Sequence, residues 1–235
     1  MCGRFGQNAT PAELAALFDA EWRSEEPELP RFNIAPTQWV PVLLRDGGRP
    51  VLDLFRWGLV PAWAKDPAIG SKLINARSEG VAEKPSFRSA LAKRRCVVPA
   101  SGFYEWKKTA GAKTKVPHWI FPAEGGVLSL AGLWESWRPE RGAEPVHTFT
   151  ILTTAPSRDV DGLHDRMPVI LDRAGRDGWL DPDASTDDVL ALLVPAPEGT
   201  LRHHPVSTAV NRPTYDAPDL IHPLDAPSSE PTLFA

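Results

Sequence analysis

The sequence is poor in cysteine and has no cysteine or histidine pattern typical of a metal site. Its 235 residues include two cysteines, Cys2 and Cys96, and six histidines. Two cysteines provide no disulfide framework. No Cys-x-x-Cys pair occurs, and the histidines lack the spacing of metal ligands. We therefore expect no disulfides, no metal and no cofactor.

Long hydrophobic segments are also missing. No apolar run reaches membrane length, and the first residues lack the pattern of a secretory signal. The sequence therefore predicts a cytoplasmic protein that is not embedded in a membrane. Hydrophobic residues make up 42% of the chain and charged residues 24%, which is typical of one globular domain or two small ones.

An excess of positive charge is missing from the chain as a whole but present in its middle. The net charge is −4, which argues against a generally basic nucleic-acid binder. Residues 65–115, however, hold twelve Lys or Arg against four Asp or Glu. This basic segment predicts a face for an anionic partner. The alternative is a solvated surface without a partner.

Short strand patterns outnumber helical ones. A helix is predicted to begin at Thr10, which forms a capping box with Glu13 around a proline. Leu14, Leu17 and Phe18 then fall on one face of that helix. Further helices are predicted at 86–94, 174–180 and 186–193. The predicted strands are 39–45, 51–57, 96–99, 102–106, 116–121, 127–134, 147–154 and 169–171, and a last strand begins at 203.

Turns and prolines join these elements without a linker or an internal repeat. The sequence Asp46-Gly47-Gly48 is a hairpin signal, and WGLVPAW at 57–63 predicts a loop. The 25 prolines favour turns and strand edges over long helices. We predict an α+β fold with a single compact domain over residues 1–222. Its core is a mainly antiparallel, barrel-like sheet with short peripheral helices, and residues 223–235 form a loose tail.

The chain begins Met1-Cys2-Gly3-Arg4-Phe5, and its second residue has special chemistry. If Met1 is removed, Cys2 carries an α-amine and a thiol on adjacent carbons. The amine can condense with an aldehyde, and the thiol can then close a five-membered thiazolidine ring. Gly3 allows close approach to the backbone, and Arg4 could hold an anion. The alternative is that Cys2 is an incidental residue in a frayed terminus.

Four other residues have both a functional and a structural interpretation. Glu105 lies among aromatic residues, so it is either half of a structural ion pair or a general acid/base. His164 is predicted in a loop beside a strand, where it is structural or an acid/base. Trp63 is either a buried ring or a surface on which a base stacks. Asn75 either caps or turns the chain, or serves the site.

Seven sequence blocks, in this order, resemble a known family. They are MCGRF at 1–5, RFNIAP at 31–36, WGLVPAW at 57–63, LINARSE at 73–79, GFYEWKK at 102–108, HDRMPVIL at 164–171 and HPVSTAVN at 204–211. Together they resemble the SOS-response-associated peptidase (SRAP) family of abasic-site processing proteins, from residue 1 to about 222.

The resemblance implies a protein of the DNA damage response that acts on abasic sites in single-stranded DNA. It implies a covalent thiazolidine through Cys2, with Asn75, Glu105 and His164 as the other catalytic residues. The phosphate-contacting residues that the family implies are Arg4, Arg77 and Arg166. Trp63 corresponds to a wedge of two adjacent aromatics, but here the next residue is Ala64. No cofactor is implied, and we expect a monomer located with the nucleoid.

Other functions remain open at this point. Glutamine amidotransferase domains also begin Met-Cys-Gly, which favours an N-terminal-nucleophile amidohydrolase as one alternative. A second is a non-catalytic module that binds single-stranded DNA and leaves Cys2 idle. The family name adds a peptidase activity, at least on Met1 of the chain itself. A Schiff base at an abasic sugar would also permit strand cleavage by β-elimination.

Overall fold

The computed structural model describes residues 2–108, 111 and 114–224. The strands are β1 (Phe5–Gln7), β2 (Glu21–Trp22), β3 (Arg31–Ile34), β4 (Trp39–Asp46), β5 (Arg49–Trp57), β6 (Asn75–Arg77), β7 (Arg95–Ala100), β8 (Gly102–Lys107), β9 (Val116–Pro122), β10 (Leu128–Trp137), β11 (Val146–Thr154), β12 (Met167–Pro168), β13 (Ile170–Leu171) and β14 (Leu201–Pro205). The helices are α1 (Pro11–Phe18), α2 (Arg88–Lys93), α3 (Arg173–Leu180) and α4 (Thr186–Ala191), and 3-10 helices cover Pro67–Lys72, Arg158–Val160, Thr208–Asn211 and Pro218–Ile221.

Two sheets organise these strands. The small sheet has the order β14-β9-β8-β1-β3, with every pair antiparallel. The large sheet has the order β12-β11-β10-β7-β4-β5-β2, with β13 added beside β10 and β6 beside β11. A further parallel pairing of β11 with β5 closes strands β4, β5, β7, β10 and β11 into a ring. The predicted α+β fold with a mainly antiparallel, barrel-like core is confirmed.

The first helix and the first hairpin follow from local sequence signals. Thr10 and Glu13 form the predicted capping box of α1. Gly47 and Gly48 make the two-residue turn between β4 and β5, and both have positive φ, as this tight hairpin requires. Leu17 departs from the prediction because its side chain is 50% exposed while Leu14 is buried.

Three apolar clusters hold the layers together. One lies between the small sheet and one face of the large sheet and includes Cys2, Phe5 and Phe103. A second packs α1, α2, α3 and α4 against the other face of the large sheet. A third covers the outer face of the small sheet and includes Tyr104 and Trp119. Alternating residues of β8 therefore face different cores, as expected for a strand covered on both sides.

Trp57 belongs both to the predicted strand 51–57 and to the predicted loop 57–63, and the structure confirms the strand. Trp57 ends β5 and is fully buried. Its ring stacks on Phe149 with a centroid distance of 6.3 Å and contacts Phe5 edge-on at 5.1 Å. Its Nε1 donates to the carbonyl of Ile74 at 2.9 Å. The pairing of β5 with β11 brings these groups together, and no local pattern reveals that pairing.

The chain after Trp57 turns sharply. Gly58 has a φ of +115°, and a side chain there would place its Cβ 2.7 Å from the carbonyl oxygen of Gly70. Glycine at position 58 therefore lets the loop that carries Trp63 pack against the 3-10 helix at Pro67–Lys72.

The ends of the chain lie partly outside the described residues. Leu224 donates from its backbone to the carbonyl of Pro205 at 2.9 Å. The predicted loose tail from residue 223 lies outside the described residues from 225 onward, and Met1 also lies outside them. Among the described residues, no helix is long and apolar enough to cross a membrane.

Candidate active site around Cys2

Cys2 is fully buried at the margin of the core between the two sheets. Its Sγ lies 3.9 Å from the carbonyl oxygen of Arg4. Burial raises the pKa of the Cys2 thiol far above its ordinary value, and the negative charge of Glu105 raises it further. The thiol is therefore protonated at neutral pH. The site thus combines a neutral Cys2 thiol with the side chain of Glu105.

Asn75 holds the backbone of Cys2. It begins β6, which pairs in parallel with β11 through Ile151. Its Nδ2 donates to the carbonyl of Cys2 at 2.7 Å. Its Oδ1 is buried and accepts no hydrogen bond from the described residues. The interpretation of Asn75 as a cap or turn residue is wrong, since the residue lies in a strand and its side chain contacts Cys2.

Glu105 reaches the same place from the small sheet. It is buried on β8, two residues after Phe103, so both side chains project toward the core that contains Cys2. The effect of its charge on the Cys2 thiol places the two groups within electrostatic reach. The structure thus brings Cys2, Asn75 and Glu105 together from three separate strands or their ends.

His164 lies in the loop between the 3-10 helix Arg158–Val160 and β12. Its Nδ1 is 2.7 Å from Oδ1 of Asp165 and 3.1 Å from the backbone nitrogen of Arg166. The preceding residue, Leu163, belongs to the same apolar cluster as Cys2. Contacts of Nδ1 with Asp165 and Arg166 thus hold the imidazole of His164 in this loop.

Arg77 and Arg166 each lie beside Thr153, near the end of β11. Arg77 is the register partner of Thr153, and the Arg166 guanidinium donates to the carbonyl of Thr153. Arg166 also forms a two-bond pair with Glu79, at 2.7 and 2.8 Å. Hydrogen bonds from Arg166 lower the pKa of the Glu79 carboxyl to about 2. Arg77 is exposed, whereas Arg166 already has a carboxylate partner.

Arg4 and Trp63 occupy different surroundings. Nη1 of Arg4 donates to Oδ1 of Asn33 at 2.6 Å and to the carbonyl of Val210 at 2.7 Å. Arg4 thus ties the N-terminal segment to the rest of the protein, and its phosphate contact stays a prediction. Trp63 is 61% exposed, so the interpretation as a buried ring is wrong for it. A hydrogen bond from Nε1 of Trp137 to the carbonyl of Ala64, 2.7 Å long, holds the loop that carries Trp63.

Two arginines of the basic segment have partners within the fold. Arg94 pairs with Glu135 at 2.9 Å. Arg95 is buried and donates to the carbonyls of Trp179 and Leu91 at 2.6 and 2.8 Å. These two arginines connect elements within the fold, so the prediction of a single face across the segment is wrong for them. Local charge counts do not reveal which cations find internal partners.

Asn33 is a positioning residue that the sequence interpretation missed. It is fully buried, and its Oδ1 accepts from Arg4. Its Nδ2 donates to the carbonyls of Arg212 and Tyr215 at 3.0 and 2.6 Å. Asn33 therefore fastens segment 210–215 and the N-terminal segment to β3. The one available signal was an amide between two apolar residues in the RFNIAP block.

A metal site is not indicated in the part of the chain that the structure describes. No group of three or more His, Cys, Asp or Glu residues there could hold a metal ion.

Comparisons with known proteins find relatives along almost the whole chain. A family model described as SOS response associated peptidase (SRAP) matches residues 1–213. The abasic site processing protein YoqW of Bacillus subtilis (strain 168) is 41% identical over 223 residues, which cover 94% of this chain and 99% of the relative. The abasic site processing protein HMCES of Gallus gallus is 36% identical over 267 residues, which cover 96% of this chain and 78% of the relative.

Solved structures share the fold. A crystal structure of a protein from Bacteroides thetaiotaomicron superposes with a TM-score of 0.86 over 95% of this chain and 100% of that one. The two sequences are 24% identical. The likeness therefore shows the arrangement of the sheets and helices.

Proposed function

The chain belongs to the SOS response associated peptidase (SRAP) family, and on that premise we propose that it processes abasic sites in DNA by forming a covalent bond through Cys2. The substrate is the aldehyde form of the abasic deoxyribose in single-stranded DNA. The product is a thiazolidine that joins the sugar to the N-terminal residue. The linkage shields the site during the response to DNA damage.

Formation of the linkage proceeds in two bond-forming steps. The Cys2 amine attacks C1′ of the open sugar, and water leaves to give an imine. The Cys2 sulfur then adds to the same carbon, and the thiol proton passes to the nitrogen. Closure of the ring removes the imine, which would otherwise acidify the C2′ protons and permit strand cleavage by β-elimination.

The observation that carries this proposal is the contact of Asn75 with Cys2. Nδ2 of Asn75 holds the Cys2 carbonyl at 2.7 Å, which fixes the residue whose amine must react. The buried Oδ1 of Asn75 is an acceptor suited to the amine of a chain that begins at Cys2. An amide bond to Met1 would remove the basic lone pair, so we propose that the active form has lost Met1.

Glu105 and His164 supply the proton transfers. The abasic sugar is mostly a closed hemiacetal, and opening it moves a proton from the anomeric hydroxyl to the ring oxygen. We assign that transfer to Glu105, which is buried and acts electrostatically on the Cys2 thiol. His164 exchanges protons at the sugar oxygens and assists the loss of water from C1′.

Phosphate contacts and one aromatic ring hold the strand. Arg77 and Arg166, which both lie beside Thr153, contact the phosphates. Arg4 adds a phosphate contact through Nη2, since its Nη1 is bound to Asn33 and Val210. Trp63 stacks on a base or wedges a junction. We expect the protein to act as a monomer on single-stranded DNA in the cytoplasm, close to the nucleoid.

Two alternative functions predict different experimental results. An amidohydrolase would release ammonia from glutamine and form no adduct with DNA. A purely non-catalytic binding module would bind single strands equally well without Cys2 and form no adduct either. A peptidase limited to Met1 is compatible with the proposal, because it would prepare the amine.

A denaturing gel tests the proposal directly. The protein is incubated with a single-stranded oligonucleotide that contains one abasic site, then heated and resolved. We expect a heat-stable adduct with the wild type and none with Cys2→Ala. Cys96→Ala is the matched control, since Cys96 is also a buried thiol whose pKa burial raises. Full adduct yield with Cys2→Ala would overturn the proposal.

A further inference from the structure

A pair of histidines lies on the small sheet beside the proposed catalytic site. Nδ1 of His118 on β9 is 3.1 Å from Nδ1 of His203 on β14. The two rings are 5.1 Å apart and nearly edge-on. His118 is buried, whereas His203 is exposed on the edge strand of the sheet. One ring of the pair is therefore open to solvent and the other is not.

The pair lies on the same face of the sheet as Glu105. His118 is the register partner of Glu105, and side chains of register partners point to the same side. Lys107, two residues after Glu105 on β8, is exposed on that face and acts electrostatically on both imidazoles. Across this face Glu105 on β8 lies opposite His118 on β9, and His203 follows on β14. Lys107 lies further along β8.

We propose that Lys107, His118 and His203 form a phosphate-binding subsite for the DNA strand next to the abasic nucleotide. This inference rests on the proposed function. Arg77 and Arg166 lie on the large sheet, at Thr153 of β11. The subsite lies on the small sheet, so the strand is held by its phosphates on both sides of Cys2.

The hydrogen bond within the pair limits its charge. One Nδ1 must donate its proton while the other accepts it. A pair that carries one extra proton keeps this bond and has an N–H on the Nε2 of each ring. A second extra proton would place two cations in contact. An anion on the exposed side therefore stabilises the singly protonated pair.

The charges around His118 favour an anionic ligand. Burial, followed by the positive charges of His203, Lys107 and His204, lowers the pKa of His118 to about 4. Each of those three groups repels a proton from His118. A phosphate placed among them reverses the sign of the local potential and favours protonation.

Three other charged groups lie near the pair. Glu105 on β8 is the register partner of His118 and also acts on the Cys2 thiol. Arg202 on β14 is exposed and pairs in register with Phe121, on the opposite face. Asp159, from the 3-10 helix that packs against β14, accepts from the backbone of Gly199 and Leu201 and is thereby held at the start of the strand.

The test measures binding of an intact single-stranded oligonucleotide by fluorescence anisotropy. The test variant is Lys107→Gln combined with His203→Gln, since both side chains are exposed and their replacement spares the core. We expect several-fold weaker binding and a log–log salt slope smaller by about 0.7, the value for one phosphate contact on a single strand. Arg202→Gln, an exposed cation one residue away on the other face, is the matched control and should retain the slope.

Proton uptake provides a second readout. Binding by the wild type should strengthen as pH falls from about 7.5 to about 5.5, the range in which imidazoles take up a proton. The single variant Lys107→Gln should keep this pH dependence, and His203→Gln should lose most of it. A double variant with the wild-type salt slope and pH dependence would overturn the subsite. An Arg202→Gln loss as large as that of Lys107→Gln would also overturn it.

Crosslinking separates this inference from the proposed function. With an abasic oligonucleotide at saturating protein, the double variant should reach the wild-type yield of adduct but require more protein. Cys2→Ala should show the reverse, with no adduct and an unchanged salt slope. Absence of any adduct with the wild type would refute the proposed function. The salt slope for binding of the intact strand would still show whether the phosphate-binding subsite exists. A lower yield at saturation would place these residues in the chemistry and overturn a binding role.

Discussion

Nδ2 of Asn75 donates a 2.7 Å hydrogen bond to the carbonyl of Cys2, although 73 positions separate the two residues in the sequence. The bond joins the start of β6 to the N-terminal segment. It fixes the carbonyl side of Cys2, so the amine and the thiol of that residue are held at one end of the core. Changes at Asn75 should therefore affect reaction more than strand binding.

Asn75→Ala tests the positioning role. We expect the rate of adduct formation to fall by about a hundredfold, the effect typical of misplacing a reactive group by about 1 Å. Affinity for an intact single strand should change little, because the phosphate contacts remain. Rates come from quenched time courses on denaturing gels, and Asn8→Ala serves as the control amide. Equal losses of rate and of binding would contradict a positioning role.

Glu105→Gln and His164→Ala test the proton transfers. Each should slow crosslinking by about a hundredfold or more, the usual contribution of a general acid or base. Binding of an undamaged strand should be nearly unchanged, which anisotropy measures. Loss of folding in Glu105→Gln, seen as a lower melting temperature together with loss of both activities, would instead support a structural ion pair.

The N-terminus provides the third prediction. A variant with one extra residue before Cys2 that is not removed should form no heat-stable adduct, because its Cys2 nitrogen is an amide. Intact mass of the wild-type protein should show loss of one methionine. If protein shown by mass to retain Met1 still forms the adduct, an internal lysine or the thiol alone must be the nucleophile.

The pair between Arg166 and Glu79 provides the fourth prediction. Glu79→Gln should release the guanidinium and strengthen binding to single strands several-fold. Arg166 holds the pKa of the Glu79 carboxyl near 2, so the carboxylate is charged at every working pH. Because Glu79 is exposed, stability should change by less than about 1 kcal/mol.

Glu198→Gln is the matched control for that prediction. Glu198 forms an exposed pair with Arg158 at 3.1 Å, elsewhere on the surface. Its replacement changes the net charge by the same amount but leaves Arg166 paired. Equal gains of affinity in both variants would show an effect of net charge alone.

His118 provides the fifth prediction, which concerns pH and stability. Burial and neighbouring positive charges lower its pKa to about 4, against about 6.5 in an unfolded chain. Between these values the unfolded state binds more protons, so the folded state loses stability as pH falls through that window. One pKa unit corresponds to about 1.4 kcal/mol.

We therefore expect the melting temperature of the wild type to fall more steeply than that of His118→Gln from about pH 6.5 to about pH 4. Thermal unfolding followed by circular dichroism at several pH values measures this difference. His222→Gln, on the chain segment after the last 3-10 helix, is the control histidine. Parallel curves for wild type and His118→Gln would contradict the assigned pKa.

Local signals predicted many elements, and long-range pairing decided the exceptions. The capping box at Thr10 and the hairpin at Gly47-Gly48 depend on residues within three or four positions, so sequence alone predicts them. Local patterns place Trp57 where the predicted strand 51–57 meets the predicted loop 57–63, but they do not identify what its ring packs against. Its burial depends on Phe149, which reaches it through the pairing of β5 with β11.

The same distinction applies to the candidate site. The sequence by itself determined which reactive groups the chain contains: an aminothiol once Met1 is lost, and a carboxylate among aromatic residues. The family blocks imply how these groups are used. The tertiary structure decided which groups meet. It paired Arg166 with Glu79 and Arg4 with Asn33, and it placed His118 beside His203. The reactivity of a side chain follows from its own covalent structure, so the sequence reveals it. Which side chains bond to one another depends on distances that are set only after strands far apart in the chain have paired.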